Sequence, residues 1–222
     1  VACLAAATGC AIGIRSPRAR PVVDGRGPFR DRRIYRLAAG SALLITAQIG
    51  VIGFVAVYLH DERGLSEVAA GVVLAVILLA GVTARVAAGR WSDRVVLRVG
   101  PLRRVAVATA VAWALIPIVL GAGDAVAVPA LVVGGTIASS WNGLAFTAVA
   151  ELAAGGRSAT AIALQQTALF ATAALVPPLF GALVGAAGWR PAFWALAVGP
   201  AAAWWVLAPL GRGERSPAET PS

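Results

Sequence analysis

Apolar residues run through this chain in long blocks, and polar residues are confined to short stretches between them. Six blocks stand out, at 37–59, 68–88, 105–122, 125–150, 159–187 and 192–210. Each is roughly 20 residues or longer, which is what a helix rising 1.5 Å per residue needs to cross ~30 Å of hydrocarbon. The separators are HDERGLSE (60–67), GRWSDRVVLRVGPLRR (89–104), GAGD (121–124), ELAAGGRS (151–158) and GWRP (188–191). No block alternates with the period of two that a barrel strand would show, so helices must satisfy the backbone within lipid. The pattern therefore predicts an all-α, polytopic membrane protein with six complete transmembrane helices. Pro117, Pro177 and Pro178 lie inside blocks and are tolerated where neighbouring helices repair the backbone. Gly181 and Gly185 form a GxxxG pair that suits either close helix contact or ordinary alanine–glycine packing.

The ends divide the chain further. Residues 1–14, VACLAAATGCAIGI, are too short to span and read as the end of a seventh, truncated helix. Cys3 and Cys10 within it have neither metal-ligand nor redox-pair spacing, and read as small residues facing lipid or helix. Residues 15–36 form an arginine-rich linker, 37–210 the six-helix domain and 211–222 a disordered tail.

Composition confirms lipid as the solvent: 59% of residues are hydrophobic, 13% are charged and mean hydropathy is +0.81. A soluble domain carries about 25% charged residues. The net charge of +9 comes from nineteen arginines and no lysine. The arginines sit at span ends without interleaved aromatics, so nucleic acid is excluded as a partner. Their distribution instead sets orientation. The linker, the 89–104 stretch, the 151–158 joint and the tail hold sixteen, and the opposite loops hold only Arg63 and Arg190. That asymmetry makes the linker, the 89–104 loop and the C-terminus cytoplasmic, in a multi-pass protein of the cell membrane.

Polar groups deep in lipid are costly and face either a cavity or another helix. Gln48, with Thr46 nearby, lies at the midpoint of the first block. Trp141 and Asn142, with Ser139 and Ser140, lie in the inner half of the fourth. Gln165 and Gln166 lie about two turns into the fifth, roughly 10 Å deep. For Gln48 a cavity role and interhelical bonding stand level, whereas Gln165 and Gln166 suit helix packing better. No acidic residue lies mid-span, which favours a neutral or weakly anionic ligand. His60, the only histidine, reads as interfacial beside Asp61 and Glu62. Trp189, Trp194, Trp204 and Trp205 fit an aromatic belt. There is no metal-ligand cluster, no phosphate-binding loop and no nucleophile–base pair, so neither an enzyme nor a cofactor is expected.

The anomaly is Asp93, a carboxylate set among Arg90, Arg94, Arg98, Arg103 and Arg104. Gly89-x-x-x-Asp93-Arg94, followed by basic residues, resembles the cytoplasmic signature of the major facilitator superfamily. Glu151 and Arg157 resemble a Glu-and-Arg pair between spans ten and eleven of several branches of that family. PPLFGALVGAAGWRPAF (177–193) is similar to the end of span eleven and the start of span twelve. The resemblance implies the C-terminal half of a facilitator-type fold, with residues 1–14 ending span six and the rest forming spans seven to twelve. It implies a secondary active transporter that moves a small solute, with or without a coupled proton or ion, by rocker-switch alternating access. The partners are then the lipid bilayer, the solute, and either a missing N-terminal six-helix half or a second copy. Gly89, Asp93, Arg94, Arg98, Glu151 and Arg157 would form a cytoplasmic gate, with Asp93 capping a helix of the missing half and Arg94 pairing with Glu151. Gln48, Trp141, Asn142 and Gln165 would be candidates for the solute cavity. A non-transporting membrane scaffold derived from such a transporter is the alternative.

Overall fold

The computed structural model describes residues 31–95, 97–153 and 158–213. The remnant at 1–14 with Cys3 and Cys10, most of the linker, Arg157 and the tail from 214 lie outside the described residues. The described residues form helices and no strand.

Helix α1 (Arg32–Asp61) starts at an Asp31 N-cap whose side chain accepts from Arg33 N at 2.9 Å. It thus absorbs the last residues of the expected linker. Helix α2 (Glu67–Val95) and helix α3 (Val99–Val119) also outrun their apolar blocks. The arginine-rich 89–104 stretch is therefore two helix ends joined by a very short turn. Arginine is a good helix former, so the chain stays helical after it leaves the apolar layer.

The fourth block departs most from expectation. It is broken into α4 (Asp124–Ala138) and α5 (Asn142–Leu152). At the break Ser139 Oγ donates to Gly135 O (2.9 Å) and Ser140 Oγ to Ile137 O (2.8 Å). Both hydroxyls compete with the helical backbone for carbonyls, which bends or interrupts helices. Helix α6 (Ser158–Ala187) carries Pro177 and Pro178, and the chain reverses at Gly188, whose φ of 86° favours glycine. Helix α7 (Trp189–Val206) and the short α8 (Ala208–Gly213) complete the chain.

Five segments are long and apolar enough to cross a membrane: α1, α2, α3, the α4–α5 pair and α6. The sixth expected span is α7 continuing into α8. Helix α7 carries Arg190 and four tryptophans and is not among those five. It packs closely along α3 and α1, while α6 also lies against α1. Gly199 of α7 permits that approach, because a Cβ there would sit 2.5 Å from Leu43 O. Thr46 lies under the same glycine, with its hydroxyl bonded to Leu43 O at 2.7 Å, so it serves packing.

The core forms two layers along the bundle axis. One, toward the arginine-rich end, gathers Leu37, Leu44, Leu102, Trp141, Leu144 and Leu207. The other is aromatic and centred on Phe193, which meets Tyr58, Trp113, Phe180 and Trp189 at ring-centroid distances of 5.2, 5.5, 5.7 and 5.9 Å. The break in the fourth span falls at the seam between the layers: Ala138 belongs to the aromatic layer and Trp141 to the other.

Candidate functional site: a charge clasp and a mid-height polar seam

Three helix ends converge on Arg98. Its Nη1 donates to Asp93 Oδ1 at 2.6 Å and to Ser92 Oγ at 3.0 Å, both in the last turn of α2. Its Nε lies 3.0 and 3.1 Å from the two oxygens of Glu151 in the last turn of α5, and its Nη2 reaches Oε1 at 2.9 Å. The guanidinium fork thus clasps α2 and α5 from the start of α3. The Arg98 side chain is 22% exposed, against 68% for Asp93 and 52% for Glu151. Hydrogen bonds donated to the Glu151 carboxylate, then to that of Asp93, push the Arg98 pKa above its ordinary value, so the group is permanently charged. A cleft of about 150 Å³, lined by Arg33, Arg98, Glu151 and Leu210 among others, adjoins the clasp.

The expected pairing of Arg94 with Glu151 is corrected. Arg94 is exposed and forms no ion pair among the described residues; Arg98 holds Glu151. Helix α2 runs through Val95, and Arg98 at the start of α3 lies between the two carboxylates. Gly89 meets nothing within 4 Å of a built Cβ, so no close approach within the described residues requires it.

The second cluster lies at the seam. Asn142 Nδ2 donates to Gln48 Oε1 at 3.1 Å, which joins two sequence candidates across α5 and α1. Both are half-buried. Trp141 is fully buried in the core and lines no surface of this bundle. Gln165 is also fully buried, and its Nε2 donates to Ser41 Oγ at 2.8 Å, binding α6 to α1.

Sequence reasoning assigned nothing to Arg85. In the structure its Nη2 and Nε donate to Ser139 O at 3.2 and 3.4 Å. A cation therefore rests on the carbonyl end of α4, where the helix dipole is negative. That bond occupies the oxygen which an unbroken helix would give to Gly143 N–H. The Arg85 stem runs past Gly143, 3.6 Å from a Cβ built there, and Gly81 one turn earlier lets Ser139 approach. The signal was present in the sequence: an arginine inside an apolar block with no acidic partner, and a Ser-Ser-Trp-Asn-Gly stretch inside another.

Membrane-length helices packed side by side, with polar groups gathered at mid-height and charges at the ends, define a multi-pass helical membrane protein. The Major Facilitator Superfamily model matches residues 3–171 and again 37–222, and the chain belongs to that family. It is 37% identical over 202 residues to an uncharacterized MFS-type transporter of Mycobacterium tuberculosis strain ATCC 25618 / H37Rv, covering 88% of this chain and 45% of that protein. A counterpart from strain CDC 1551 / Oshkosh is 36% identical over the same shares. The chain spans about half the length of these curated relatives. The crystal structure of a bacterial homologue of the iron transporter ferroportin in an outward-facing state shares the fold, with a TM-score of 0.62 at 17% identity. That match covers 91% of this chain and 49% of the other.

Proposed function

We propose that this chain is the C-terminal half of a secondary transporter that moves a small solute by alternating access of two rocking halves. The observation that carries the reading is the mid-height seam: a span broken between two core layers, with half-buried Gln48 and Asn142 beside it. Interrupted helices near the bilayer midplane are where transporters of several folds place solute. Gln48 and Asn142 contact the solute in this reading, and Trp141 and Gln165 support them. Arg85 fixes a positive charge at the same height, which favours a neutral or weakly anionic solute over a cation. Asp93, Arg98 and Glu151, with Gly89 and Arg94 on the same end of α2, form the gate at the cytoplasmic end. Orientation follows from the sixteen arginines at that end. The gate must be worth only a few kcal/mol, or the protein could not switch.

The test uses cysteines at Gln48 and Asn142 in a variant with Cys3 and Cys10 changed to serine. A membrane-impermeant maleimide should label both sites from either face of sealed vesicles, in competition with each other. Asp93→Asn should skew labelling toward one face while membrane insertion survives. Labelling from a single face that no gate substitution changes would favour the scaffold alternative.

A further inference from the structure

Helices α2 and α3 are consecutive, yet they scarcely touch; both lean on α4 instead. A cleft of about 960 Å³ opens along α3, bounded by Val95 at the end of α2, Ile137 of α4, Trp204 of α7 and Gly211 of α8. One face of α3, Gly100, Arg104, Val107, Ala108 and Val111, lines it at helical spacing. Beyond Arg104 that face is wholly apolar.

The rim is basic. Arg104 lies over the Trp91 ring of α2 at 5.4 Å, and Arg103 over the Trp204 ring of α7 at 5.1 Å. Arg103 Nε also donates to Trp204 O at 3.3 Å. Stacking orders both guanidiniums without neutralising them, and neither pairs with a carboxylate among the described residues. Arg104 lies about 7 Å from the start of α3, and the apolar wall from Val107 to Val111 continues for about another 10 Å.

We infer that this cleft holds an anionic phospholipid, with its phosphodiester on Arg103 and Arg104 and one acyl chain along Val107 and Val111 over Ile137. A basic rim above an apolar groove at a span end matches a lipid head and tail together. A soluble anion would use the rim and leave the wall empty. A partner helix ~10 Å across, running the same length, would occupy roughly 1,300 Å³, more than the cleft offers.

The purified full chain in neutral detergent, titrated with phosphatidylglycerol and phosphatidylcholine and read by native mass spectrometry, tests this. Phosphatidylglycerol should be retained about tenfold better. R103Q/R104Q should lower its retention to the phosphatidylcholine level, whereas R103K/R104K should keep most of the preference. V107W/V111W, which fills the groove but leaves the arginines, should also abolish retention. Circular dichroism checks that each variant is folded. No preference in the wild type, or a preference that survives R103Q/R104Q, overturns the inference. Displacement of phosphatidylglycerol by millimolar inorganic phosphate would assign the rim to a free anion. A lipid-independent dimer lost in V107W/V111W would assign the cleft to a second copy.

Discussion

Replacing Arg98 with alanine should cost about 2 kcal/mol, and about half of that should disappear in high salt. The figure follows from the geometry. An exposed ion pair contributes about 0.2–1 kcal/mol. The Glu151 contact is two-pronged and its guanidinium is only 22% exposed, so it belongs at the upper end, near 1 kcal/mol. The Asp93 contact is short, but its carboxylate is 68% exposed, which places it near 0.5 kcal/mol. The bond to Ser92 Oγ supplies the remaining ~0.5 kcal/mol. Reversible unfolding in mixed micelles, followed by tryptophan fluorescence, would measure Arg98→Ala, Glu151→Gln and the double variant. The cycle should return a coupling near 1 kcal/mol in 0.1 M salt, falling to about a third of that in 1 M salt as the screening length drops from ~10 to ~3 Å. Arg98→Lys should lose the bond to one carboxylate and retain about half the stabilisation, since an ammonium lacks the fork. A raised arginine pKa adds stability that is in place below the unfolded value and is lost only as pH rises through the folded one. Between about pH 5 and 9 the guanidinium itself therefore adds no pH dependence. A coupling below about 0.3 kcal/mol, or one indifferent to salt, would refute the clasp.

Three further outcomes are expected. Arg85→Met frees Ser139 O to accept from Gly143 N–H, so amide exchange at Gly143 should slow by tenfold or more; unchanged exchange would show that the serines alone break the span. Gly199→Ala drives a Cβ to 2.5 Å from the fixed Leu43 carbonyl and should cost roughly 2–3 kcal/mol in micelle unfolding, whereas Gly89→Ala and Gly181→Ala, which meet nothing within 4 Å, should be neutral or gain up to ~1 kcal/mol. Arg190→Gln removes donors from Pro117 O (2.9 Å) and Ile118 O (3.2 Å) at the end of α3; it should cost about 1–2 kcal/mol, with little change between 0.1 and 1 M salt.

The apolar blocks made the helices legible, because only their length and lack of period-two alternation were needed. Helix ends were less legible. Apolarity marks where the chain leaves lipid, not where it stops being helical, and arginines continue a helix as readily as they flank a span. The missed clasp partner is one case: the resemblance implied Arg94 for Glu151, but Arg98, four residues further on at the start of α3, holds that place. Burial was the other gap. Gln48 and Trp141 looked alike as polar or amphipathic residues at mid-depth, yet one is half-buried beside the seam and the other lies wholly inside the core. Which face of a span meets its own bundle depends on α1 packing against α6 and α7, and such long-range contacts leave no periodic trace in so alanine-rich a chain.

The arginines at the two ends of the bundle do different work. At the sparse end, Arg63 and Arg190 both serve the carbonyl terminus of α3: Arg63 donates to Leu120 O (3.1 Å) and Ala122 O (2.8 Å) besides pairing with Asp124. Arg85 serves α4 in the same way. Backbone carbonyls cannot leave, be protonated or be screened as an exposed carboxylate can, so these contacts fasten α3, α4, α7 and the α1–α2 turn as one block. At the arginine-rich end the principal clasp joins Arg98 to two carboxylates that are more than half exposed, on the ends of α2 and α5. Water and salt compete for those bonds, and their loss leaves each group solvated instead of buried and unpaired. A bundle built this way has one end fastened through backbone carbonyls and another held by ion pairs that water and salt can weaken.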